Sequence, residues 1–218
     1  MLPAGGTTRE AGMSKGRLEA FSDGVFAIAI TLLVLELAVP KGHPEGGLWA
    51  ALGREWPSFF AYLVSFLVIG IMWVNHHAVF EKVRAVDRAV LFANLALLLF
   101  VSVLPFPTRL VAEYLTGRDA PAAMAVYSAV MLAASLSYAG LWLVVTRDAG
   151  ILHPHLDHAS ERAALRRFGL GNLVYLAALG LSFLSPVTAL AVHGAMALYY
   201  CFDQLRTGAP ASVSDRPA

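Results

Sequence analysis

Six stretches of this chain are long and apolar enough to cross a lipid bilayer, and no other feature of the sequence narrows the fold as far. A bilayer hydrocarbon core of ~30 Å takes roughly 20 apolar residues as a helix. Segments at about 18–39, 57–79, 88–108, 121–146, 166–184 and 186–205 meet that length. In lipid every backbone N–H and C=O must be satisfied internally, so such segments are helices. Composition agrees. Of the 218 residues, 58% are hydrophobic and only 14% are charged, against about one-quarter charged in a soluble domain. The expected fold is all-α, a polytopic membrane protein of six transmembrane helices.

The chain then divides into a polar tail over 1–13, a transmembrane domain over 14–206 and a second tail over 207–218, both tails expected to be disordered. The opening "MLPAGGTTREAGMSKG" lacks the apolar core of a signal peptide, so the first span is retained as structure. The Ser185-Pro186 joint is tight enough to make the last two helices an antiparallel hairpin, and 147–165 is the longest charged connection. With the N-terminus inside, twelve Lys and Arg residues fall on the cytoplasmic side and four (Lys41, Arg54, Arg109, Arg118) outside. That bias orients a membrane protein, and it places both termini in the cytoplasm with the chain in the plasma membrane. Trp49, Trp56, Tyr199 and Tyr200 suit interfacial anchoring. The lipid bilayer is thus one partner. A net charge of +1 gives no ground for a nucleic-acid partner, and the single cysteine, Cys201, excludes a disulfide framework and a cysteine-built metal site.

Polar side chains at membrane depth cost about 3 kcal/mol each on insertion scales when charged, so each needs a partner or a purpose. The candidates are Ser22, Asp23, Thr31 and Glu36 in the first helix, Asn75, His76 and His77 in the second, Asn94 in the third and His193 in the last. On a helical wheel of about 100° per residue, Ile28, Thr31, Leu32 and Leu35 share one face, and Gly24 falls at its cytoplasmic end. Asp23 points well away from that face and Ser22 lies nearly opposite Thr31. Ordinary helix packing accounts for such a stripe in a random apolar helix. Asp23 reads as a structural hydrogen-bonding anchor, with Arg17 and His77 completing it across helices 1–3. Adjacent residues diverge by about 100°, so at most one of His76 and His77 joins the cluster. "HPHLDH" (153–158) gathers zinc- or pH-competent side chains, although exposed loop histidines explain it as well. Pro105 and Pro107 in "LPFPTRL" read as a helix stop.

Three stretches together resemble the TMEM175-type potassium channels in their prokaryotic, one-unit form. "RLEAFSDGVFAIAITLLVLEL" (17–37) is similar to that family's Arg-x-x-x-Phe-Ser-Asp opening of helix 1, and "MWVNHHAVF" (72–80) and "NLALLLFVSVLPFPTRLV" (94–111) look like its second and third helices. Helices 4–6 match by length and count alone. The resemblance implies a homotetramer whose pore is lined by helix 1, with no TVGYG filter loop. It makes Ile28 the narrowest ring, Leu32 and Leu35 the rings beyond it, and Thr31 a hydroxyl position bearing on ion preference. It makes Arg17, Phe21, Ser22 and Asp23 a clamp that seats helix 1 through His77 and Asn94.

The implied activity is passive, leak-type conduction of potassium and other monovalent cations through a hydrophobic constriction. It requires no cofactor, since potassium is the permeant ion, and no catalytic residue. Two other readings of the intramembrane histidines remain: a proton-conducting channel, and a haem-binding membrane redox subunit built on His76, His77 and His193. No nucleophile–base pair or metal-ligand spacing supports an enzyme.

Overall fold

The computed structural model describes residues 14–41, 45–147, 150–152 and 158–207, with side chains described throughout except at 158–168 and 202–207. The described residues form α1 (Lys15–Leu32), which tightens into a 3-10 turn (Leu33–Glu36), then α2 (Gly47–Arg54), α3 (Trp56–Glu81), α4 (Arg88–Val103), α5 (Pro105–Tyr114), α6 (Ala120–Thr146), α7 (His158–Leu181) and α8 (Pro186–Thr207). Among the described residues, four of the six expected spans are long and apolar enough to cross a membrane: Lys15–Glu36, Trp56–Glu81, Arg88–Tyr114 and Ala120–Thr146. Gly169–Leu181 is a shorter apolar helical stretch.

Two expectations need correction. The prolines do not stop the third span. The helix breaks at Leu104, and Pro105 and Pro107 occupy the first turn of α5, which runs on to Tyr114. The first turn of a helix has no intrahelical acceptor for its N–H groups, so proline costs nothing there. The segment after helix 1, read as a connection, also contains a helix of its own. Gly46 and Gly47, at φ +78° and +80°, turn the chain into α2 through backbone angles that only glycine adopts without strain.

The helices pack with α1 seated against α3 and α4, α3 against α5 and α8, and α6 against α4, α5 and α7. Lipid supplies no hydrophobic driving force between helices, so close packing and buried hydrogen bonds hold them. Trp142, Tyr127 and Phe80 are the largest side chains fully buried in the packing. A layer of hydroxyls crosses it, with Ser65 Oγ 2.8 Å from Thr108 Oγ1 and 3.1 Å from the Tyr127 hydroxyl. Beside it Ser128 Oγ lies 3.0 Å from both Ser182 Oγ and His193 Nε2.

At the other end the connections tie together outside the apolar spans. The Asp87 carboxylate caps α4 by accepting from the Val90 amide at 2.8 Å, and Arg147 at the end of α6 pairs with it. The Val90 amide and Arg147 hold the Asp87 carboxyl below its ordinary range, against a weaker opposing effect of burial. The Arg84 amide and guanidinium donate to the Ile151 and Gly150 carbonyls.

Candidate functional site

The two faces of α1 differ in what covers them. Leu18, Ser22, Phe26 and Ala29 recur at helical spacing and are buried against the rest of the subunit, and Leu33 extends the row. The opposite face carries Arg17, Phe21, Gly24, Ile28, Thr31, Leu32 and Leu35, all exposed. Ile28 is 62% and Leu35 73% exposed on the single subunit. The aliphatic stripe is therefore a surface that no other described element of the same chain covers. Thr31 sits within it and donates back to the Ala27 and Ile28 carbonyls of its own helix, at 2.9 Å each. Its oxygen lone pairs remain available on the exposed side.

A buried triad seats the covered face. Ser22 Oγ donates to the Leu18 carbonyl at 2.9 Å and accepts from Asn94 Nδ2 at 2.9 Å. With its amide nitrogen so engaged, Asn94 offers Oδ1 to His76 Nε2 at 2.8 Å, so His76 carries its proton on Nε2. Phe26 and Phe80 flank the imidazole at ring-centre distances of 5.4 and 4.5 Å. Ser22, His76 and Asn94 are all buried. One hydrogen-bonded unit thus joins α1, α3 and α4.

The partner from α3 is His76, which corrects the expectation of His77. The turn of about 100° between neighbours sends His76 into the interior beside Met72 and Phe80 and leaves His77 outside. There His77 lies 3.5 Å from Glu81 and stacks on Trp73. Asp23 does not meet Arg17, His77 or Asn94. Its Oδ1 accepts from the Trp73 indole N–H at 2.9 Å, on the exposed side of α1. Arg17 and Phe21 project from the same exposed face as Ile28. The sequence motif therefore splits: Ser22 anchors inward, Asp23 ties sideways to α3, and Arg17 and Phe21 face outward.

Glu36, the acidic residue beyond the stripe, lies 3.7 Å from Arg109 Nε. His193, the remaining buried histidine, has Nε2 against Ser128 and its ring stacked 5.3 Å from Tyr175. Both of these buried histidines thus have Nε2 hydrogen-bonded and aromatic rings packed against them. No group of three or more His, Cys, Asp or Glu side chains among the described residues is arranged to hold a metal ion. Residues 153–157 of the histidine-rich segment, and the His158 side chain, lie outside the description.

The family model described as endosomal/lysosomal potassium channel TMEM175 matches residues 17–105, which span the pore-helix candidate and the triad. A potassium channel of Streptomyces collinus is 54% identical over 191 residues, covering 87% of this chain and 93% of the relative. The human endosomal/lysosomal proton channel TMEM175 is 37% identical over 180 residues, covering 76% of this chain and 36% of that longer protein. Among solved structures, a TMEM175 homologue from Chamaesiphon minutus, described as a homologue of a lysosomal potassium-selective channel, superposes with a TM-score of 0.79. It is 41% identical, over 89% of this chain and 98% of the other.

Proposed function

Because this chain belongs to the TMEM175 family, we propose that it is the subunit of a passive, leak-type potassium-permeable cation channel, in which four copies surround one pore lined by α1. It is a channel subunit and not an enzyme. The observation that carries the reading is the uncovered stripe of Ile28, Thr31, Leu32 and Leu35 on a helix whose other face is locked into the subunit. One subunit offers one such helix, so a closed ring of copies is needed to enclose a path. In this reading the chain spans the plasma membrane six times with both termini in the cytoplasm.

Ile28 forms the narrowest ring, with Leu32 and Leu35 as further rings toward the Glu36 end. An apolar neck makes an ion shed part of its water, and it can close by dewetting. Potassium gives up hydration water at lower cost than sodium, so such a neck prefers it without carbonyl ligands. Thr31 adds four hydroxyl oxygens beside the neck. They supply dipoles, but no charge, to replace some of the lost water. Arg17 and Phe21 stand at the cytoplasmic end of the same face, where neighbouring subunits meet.

Purified protein in a planar bilayer under a potassium/sodium gradient tests this. The expected current reverses near the potassium equilibrium potential, and absence of cation current would refute it. The proton-channel name of the human relative favours one second reading, proton flux through the same neck. A pH gradient imposed in the same bilayer separates the two by the shift in reversal potential.

A further inference from the structure

We propose that Arg109 sets the electrostatics of the pore mouth at the Glu36 end, by neutralising Glu36 and holding its carboxylate against the subunit. This rests on the pore reading above. Glu36 ends the 3-10 turn that follows α1, next to the exposed Leu35, so it is the first acidic side chain beyond the apolar stripe. Its side chain is only 15% exposed, whereas that of Arg109, 3.7 Å away, is 68% exposed. α5 carries the span beyond Leu104 and packs on the 3-10 turn that holds Glu36. The guanidinium therefore covers the carboxylate from the solvent side. Lys41, also exposed, adds a positive charge on the segment that follows.

Repeated in a ring of four, unpaired carboxylates at this position would concentrate cations and bind divalent ions, as acidic rings do in other cation channels. Paired with Arg109, each Glu36 contributes no net negative charge there, and Lys41 tips the mouth toward positive. Selectivity is then left to the uncharged neck, and divalent ions find no ring of free carboxylates in which to lodge. Arg109 is a positioning residue in this scheme: it acts on the permeant ion through Glu36. The Arg109 side chain is itself 68% exposed, so replacing it opens no cavity in the packing of the subunit.

The test is Arg109→Gln in the full chain, recorded as single channels in planar bilayers at low and high ionic strength, with calcium added to each side in turn. Freed carboxylates raise potassium conductance roughly twofold to fivefold at low salt, an effect that screening removes at high salt. Calcium on the Glu36 side blocks the variant and leaves the parent unaffected. Arg109→Lys, which keeps the charge, behaves as the parent, and Glu36→Gln/Arg109→Gln loses both effects. A variant with unchanged low-salt conductance and no calcium block overturns the proposal, as does block that persists in the double variant. Failure of the parent protein to carry potassium current overturns the pore reading itself, and the proposal with it.

Discussion

Asn94→Leu is the substitution that most directly tests how α1 is seated. Leucine has the same branched heavy-atom skeleton as asparagine with bulkier ends, so the change removes the hydrogen bonds while keeping the side-chain shape. The His76 Nε2–H then faces an apolar side chain instead of Asn94 Oδ1, at a site with almost no solvent access. An unsatisfied buried donor costs about 1–3 kcal/mol. Ser22 also loses the bond it accepts, worth about 0.6 kcal/mol on average between membrane helices, but it still donates to the Leu18 carbonyl. The sum is about 2–4 kcal/mol per subunit. At about 2–4 °C per kcal/mol for a chain of this size, the thermal transition falls by roughly 4–16 °C. The assay is thermal unfolding of the detergent-purified channel, followed by tryptophan fluorescence and by size-exclusion recovery. His76→Phe/Asn94→Leu removes both partners in favour of apolar groups, which can be nearly neutral. The double variant is therefore more stable than the sum of the two single losses by about 1 kcal/mol or more. Strictly additive shifts would show that His76 and Asn94 do not act as a unit. An Asn94→Leu loss no larger than that of Asp23→Ala, whose only described bond is on the exposed side, would refute the central role given to the triad.

Three further outcomes follow from the same geometry. Ile28→Ala and Ile28→Asn widen or wet the neck, so both raise single-channel conductance and lower the potassium-to-sodium permeability ratio; liposome flux unchanged by both would remove Ile28 from the constriction. Thr31→Val keeps the shape and removes the hydroxyl, so the permeability ratio read from reversal potentials falls while thermal stability changes little, since the hydroxyl bonds only within its own helix. Asp87→Ala removes a helix cap and a partner of Arg147, at a cost of about 1 kcal/mol at neutral pH. The Asp87 carboxyl is held below its ordinary range in the folded state, so its contribution is present above the ordinary carboxylate pKa of about 4 and is lost as pH falls through the folded value. Melting curves of variant and parent should converge in acid.

The spans near 57–79, 88–108 and 121–146 were legible because an apolar run of about 20 residues has few alternatives to a helix in lipid. The finer features were not legible, each for its own physical reason. Pro105 and Pro107 look the same in sequence whether they end a helix or open one, and only the break at Leu104 decides. His76 and His77 are adjacent and chemically identical, so the choice between them depends on the rotation of α3, which packing fixes. α2 is eight residues long, too short for periodicity to stand out. The layer of Ser65, Thr108, Tyr127, Ser128 and Ser182 was missed because lone hydroxyls cost little in an apolar helix. Thr108 and Ser182 also bond to carbonyls four residues back in their own chain, so neither demands a partner elsewhere.

The stripe on α1 posed the hardest problem for sequence reading, because a face toward lipid and a face toward an apolar pore have the same composition. What distinguishes them is the other side of the helix. A helix that only met lipid on one side and protein on the other would need no more than packing to hold it. Here Ser22 is committed to a hydrogen-bonded unit with Asn94 and His76, and Asp23 is tied to Trp73, all in the half of α1 before Ile28. Beyond Ile28 the described side chains of α1 reach the rest of the subunit through packing at Ala29 and Leu33, and the ion pair of Glu36 with Arg109 lies only at the far end. The polar bonds therefore fix the rotation of the helix at one end, which determines which side chains point outward along its whole length. Charge in the first turns and the absence of charge in the stripe are two parts of one requirement: a ring of apolar side chains can serve as a constriction only if each helix that contributes to it is held at a defined rotation.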